Sequence, residues 1–66
     1  MSSFDLNYIK RRREELKLTT DDMAKKLGLS NHSVYWKYEN GDYKFKAEML
    51  PRLASALQCD ISHFYA

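Results

Sequence analysis

The apolar positions of this chain follow helical spacing almost throughout. Leu50, Leu53, Ala54 and Leu57 form an i, i+3, i+4, i+7 set, the stripe that a helix buries against a core. Pro51 belongs in the first turn of that helix, since deeper in it would cost about 3 kcal/mol. That places the helix start between Ala47 and Leu50. Met23, Ala24 and Leu27 mark a second stripe, with Ala24 small enough for another helix to cross closely. Ile9 and Leu16, two turns apart with Leu6 close by, mark a third. Ile61, Phe64 and Tyr65 predict a last short helix over 61–65, capped by Asp60.

Polar residues and glycines punctuate these stripes. Asp5 is a suitable cap for a first helix running to about Lys17. Thr19-Thr20-Asp21-Asp22 has the form of a capping box, with its acids at the positive end of the helix dipole. Gly28 suits the left-handed position that ends a helix, and Ser30 suits the cap of the next. Asn40-Gly41 closes that third helix, and 42–46 is a loop. Spacing residues about 100° apart turns Val34, Tyr35 and Tyr38 inward and His32, Ser33, Trp36 and Lys37 outward. Asn31 lies on the first turn. Residues 19–41 therefore have the layout of a helix-turn-helix, two short helices about a tight glycine turn.

Size and composition narrow the function. Sixty-six residues make one domain, 1–66, with a small core and no room for a deep substrate cleft. The net charge of +2 permits a nucleic-acid partner without requiring one. Basic residues cluster at Lys10, Arg11, Arg12, Arg13 and Lys17, and again at Lys25 and Lys26. Cys59 is the only cysteine, which rules out a disulfide framework and a Cys/His zinc site. The bland reading, a small half-buried core thiol, is preferred for it. His32 and His63 fall on different helices with no acid at motif spacing, so no catalytic group, metal or cofactor is expected. Neither a transmembrane-length apolar run nor a signal peptide is read, so the expected compartment is the cytoplasm.

Arg13, Leu18-Thr19, Met23-Ala24, Leu27-Gly28-Leu29-Ser30, Glu39-Asn40-Gly41 and the run Leu50 to Leu57 together resemble the lambda-type phage repressor and Cro class of helix-turn-helix domains, an XRE-like family. The likeness spans residues 9 to 65. It implies an all-α, compact, five-helix lambda-repressor-like domain that represses transcription as a homodimer on a near-palindromic double-stranded DNA operator, with no small-molecule substrate. It also implies that Arg13 and Glu39 pair, where each alone reads as an ordinary surface charge.

Two departures from the family pattern matter. Four positions usually separate the core aliphatic of the recognition helix from the glutamate, whereas Val34 to Glu39 is five. Either Val34 keeps the core site and the helix absorbs the extra residue, turning Asn31, His32 and Trp36 toward DNA, or Tyr35 takes the core site, the turn lengthens, and His32, Ser33 and Lys37 are favoured. The first register is preferred, because Gly28-Leu29-Ser30 keeps normal turn spacing. Phe45 stands where the family often has proline, and no arginine there is available for the minor groove. Gln58 also replaces the usual helix-ending glycine.

The candidate base-reading set is Asn31, His32, Ser33, Trp36 and Lys37. Asparagine pairs both edges of adenine, serine serves any base, and His32 donates to a guanine acceptor. Trp36 offers one N–H and an apolar face suited to a thymine methyl or a sugar; its bland reading is a partly exposed core edge. Thr20 and Asn40, at family positions that touch the backbone, are expected on phosphates, with Tyr43, Lys44 and Lys46. Ile61, Phe64 and Tyr65 are the expected dimer interface, against the plainer reading of a terminal staple. The competing functional class is a protein-interaction module, of antirepressor or antitoxin type, that keeps this fold without base readout.

Overall fold

The computed structural model describes residues 4–65. Among them are four α-helices: α1 (Leu6–Glu15), α2 (Thr20–Leu27), α3 (His32–Glu39) and α4 (Leu50–Ala56). A 3₁₀ turn, Ala47–Met49, leads directly into α4, and another, Ile61–Phe64, closes the fold. The expected fifth helix is therefore corrected to one 3₁₀ turn. Gln58, at φ 52°, redirects the chain after α4, and Tyr65 is already extended in an antiparallel bridge to Phe4. The interval between them is too short for an α-helix to repay its nucleation. Asp60 precedes the turn, but its side chain makes no capping hydrogen bond.

The local signals explain the other boundaries. The Asp5 carboxylate accepts from the Tyr8 amide at 3.1 Å and starts α1. Lys17, at φ 58°, turns the chain out of helical geometry, so α1 stops short of the expected end. The capping box of α2 is complete: Asp22 N–H donates to Thr19 Oγ1 at 3.0 Å, and Thr19 N–H donates to Asp22 Oδ2 at 2.9 Å. Hydrogen bonding from the Thr19 backbone, then from its hydroxyl, holds the Asp22 carboxyl below the ordinary carboxylate value. Gly28 ends α2 at φ 71°, a conformation that costs a Cβ-bearing residue more. Pro51 lies in the first turn of α4.

The core is Ile9, Met23, Ala24, Leu27, Tyr35, Leu50, Leu53, Ala54, Leu57 and Phe64. α2 packs on both α3 and α4, and α1 packs on α3 and the terminal 3₁₀ turn. Phe4 bridges the chain ends: its ring lies 5.6 Å from Phe45 and 5.9 Å from Phe64, while the Asp5 amide donates to the Phe64 carbonyl at 2.6 Å. Phe45, the departure from proline, also meets Tyr38 at 5.2 Å, so it anchors the loop by apolar packing. Arg12 closes the C-terminal end of α4, donating to the carbonyls of Leu57 at 2.9 Å and Gln58 at 3.3 Å. It satisfies acceptors that a helix end leaves without partners.

Candidate nucleic-acid interface

The register of α3 decides what this domain presents. Asn31, not Ser30, is the cap: its Oδ1 accepts from the Val34 amide at 3.1 Å, and α3 begins at His32. Tyr35 is fully buried, whereas Val34 and Tyr38 are half-buried. The preferred register, with Val34 in the core, is therefore overturned. Tyr35 takes the core site, Tyr35 to Glu39 restores a spacing of four, and the extra residue sits in the turn. No π-bulge is needed, because α3 is regular α-helix throughout.

A buried polar cluster explains why tyrosine wins. The Tyr35 hydroxyl donates to Glu39 Oε2 at 2.7 Å. Arg13 donates through Nε to Oε2 at 2.8 Å and through Nη2 to Oε1 at 3.1 Å. Its Nη1 reaches the Leu18 carbonyl at 2.8 Å. A two-pronged arginine–carboxylate pair is both strong and directional. Glu39 brings the carboxylate, and Tyr35, one turn earlier, supplies a third donor while its ring fills the core. A valine offers no such donor. Burial, reinforced by the Glu39 hydrogen bond, pushes the Tyr35 hydroxyl well above the ordinary tyrosine value. The same carboxylate raises the Arg13 guanidinium above its usual value, chiefly through the hydrogen bond. The cluster ties α1 to the end of α3 and fixes the rotation of α3.

That rotation leaves His32, Ser33, Trp36 and Lys37 exposed. Ser33 and Lys37 stand about 160° from Tyr35 around the helix, Trp36 about 100° and His32 about 60°, by the 3.6-residue turn. His32 is exposed because it occupies the first turn. Asn31 is exposed too, but with its oxygen engaged by the cap it no longer offers both edges freely to adenine; its amide Nδ2 is left to donate. The only acid in α3 is Glu39, which is buried and paired.

The residues expected near phosphates lie at two places. Thr20 is half-buried at the start of α2. Beside it stands Asp21, paired with Lys25 at 3.2 Å. Asn40 donates from Nδ2 to the Trp36 carbonyl at 2.9 Å and seals the end of α3. Tyr43, Lys44 and Lys46 are exposed in the loop that follows. The Tyr43 ring packs edge-on to Tyr38 at 5.3 Å, and Lys37 Nζ lies 5.4 Å from its centroid. Lys37 and Tyr43 thus form one positively charged ledge alongside α3.

A family model described as helix-turn-helix matches residues 9–64, from the middle of α1 to the last 3₁₀ turn. The chain belongs to the XRE-like helix-turn-helix family of DNA-binding proteins. No curated protein and no solved structure matches it. In this helix-turn-helix protein, α2 and α3 are the paired helices and the segment 28–31 is the turn between them.

The residues expected at a dimer contact separate in this XRE-like domain. Phe64 is fully buried, so it is corrected from interface to core: Phe4 and Tyr8 enclose its ring. Ile61 is half-buried and Tyr65 is 45% exposed. Sequence reasoning missed Arg12 as the clamp on α4, although Gln58 in place of a glycine is its one sequence signal. It also missed Asn31 as the cap, which the longer turn conceals. Among the described residues, no group of three or more His, Cys, Asp or Glu is placed to hold a metal, and no helix is long and apolar enough to cross a membrane.

Proposed function

We propose that this protein is a sequence-specific transcriptional repressor of the Cro or repressor type, working in the cytoplasm. It binds a pseudo-palindromic operator as a dimer and occludes a promoter. The observation that carries this reading is the outward face of α3. His32, Ser33, Trp36 and Lys37 project from a helix whose rotation is set by the Arg13–Glu39–Tyr35 cluster, with no free acid among them. Serine, histidine and lysine supply donors and acceptors for base edges in the major groove. Asn40, Tyr43, Lys44 and Lys46 supply the phosphate contacts that set register, and Thr20 adds one at α2. Asn31 contributes a single donor beside its capping role.

Ile61 and Tyr65 form the dimer contact. Pairing through them sets two α3 helices about 34 Å apart, one turn of the duplex. Selection of bound duplexes from a random DNA library tests the reading. The expected product is one enriched sequence with two-fold symmetry and half-sites one turn apart. Enrichment of no sequence would overturn base readout and leave a protein-interaction module as the function.

A further inference from the structure

We infer that the indole face of Trp36 seats on the methyl group of a thymine in the major groove, and so requires thymine at one position of each half-site. The inference rests on the proposed function and names the base feature that this part of the site reads. Trp36, at 51% exposed, is the most exposed of the large apolar side chains among the described residues. Its aromatic neighbours along the chain are occupied elsewhere: Tyr35 meets Phe45, and Tyr38 meets Tyr43 and Phe45. Trp36 itself stacks on no ring among the described residues.

The backbone that carries the indole is nevertheless firmly held. Both the Asn40 backbone amide and its side-chain amide donate to the Trp36 carbonyl, each at 2.9 Å, which locks the last turn of α3 beneath the ring. Exposed polar groups flank it, Ser33 and Lys37 on one side and His32 on the other by the 3.6-residue turn. A large apolar plate on a helix otherwise equipped for hydrogen bonding needs an apolar partner. Base edges in the major groove present nitrogen and oxygen atoms with one apolar exception, the C5-methyl of thymine. The electrostatics agree, because Lys37 follows Trp36 on the exposed side of α3 and the one acid of the helix is turned inward.

The test uses the selected operator and replaces each thymine in turn by deoxyuridine, which removes the methyl group and leaves the pairing edge intact. At one position per half-site, affinity should fall about fourfold, the value of one buried methyl-sized group. The Trp36→Ala protein should bind the thymine operator more weakly and show no distinction between thymine and uracil there, while Trp36→Phe should keep part of it. Equal affinity for thymine and uracil at every position, or a distinction that survives in Trp36→Ala, would overturn the inference and leave the repressor reading standing. Failure to select any operator would overturn both.

Discussion

Three side chains, Arg13, Tyr35 and Glu39, carry the most consequence at the residue scale. Glu39→Ala leaves the partly buried Arg13 guanidinium without its carboxylate and the buried Tyr35 hydroxyl without its acceptor. The expected loss of unfolding free energy in urea titration is about 3–5 kcal/mol. Adding Arg13→Met to that variant should recover part of the loss, because the stranded charge is then gone. Tyr35 makes stability sensitive to alkali. Its folded pKa is raised above the ordinary 10.0, so below about pH 10 the folded and unfolded states both keep the proton and nothing changes with pH. Above that, the unfolded chain releases the proton and the folded chain retains it, so stability falls as pH rises, by at most about 1.4 kcal/mol per pH unit. Tyr35→Phe should lose about 1.5–3 kcal/mol at neutral pH with the hydrogen bond. It should also show a shallower alkaline decline; equal slopes in the two proteins would contradict the role given to Tyr35.

Individual elements differed in how plainly the sequence announced them, and the differences have physical causes. α2 was legible from end to end, since a capping box and a left-handed glycine are local devices that act wherever they occur. α4 was legible from its four-residue apolar stripe, all of which is buried. The rotation of α3 was not. Val34 and Tyr35 are adjacent and both apolar, and the choice between them depends on Arg13 and Glu39, the former more than twenty residues away in sequence. The i, i+4 pair Tyr35–Glu39 was the available signal. The final segment was misread because three apolar residues looked like a helix face, when the bridge to Phe4 stretches the chain instead. The register makes its own prediction. Asn31→Ala should destabilise the fold by about 1 kcal/mol through loss of the cap, whereas Ser30→Ala should stay within about 0.5 kcal/mol. Equal thermal shifts for the two would place the cap elsewhere.

For the whole molecule, the proposed binding, by a loop of lysines beside a readout helix, has a characteristic dependence on salt and sequence. Affinity should fall linearly on a log–log plot against salt, by about 0.9 for each phosphate neutralised. Tyr65→Ser should leave the fold intact, since the side chain is exposed and Phe64 holds the end of the chain, while lowering the affinity for a symmetric operator more than for an isolated half-site. The central claim is that α3, rotated so that Tyr35 is inside, reads base edges with its opposite face. The most direct measurement is the ratio of affinities for the selected operator and a scrambled duplex, in Lys37→Ala and in Lys44→Ala. Lys37→Ala should cut the ratio by roughly 5- to 150-fold, the value of about 1–3 kcal/mol of base discrimination. Lys44→Ala should weaken both duplexes alike and leave the ratio unchanged. A ratio untouched by Lys37→Ala would contradict the account.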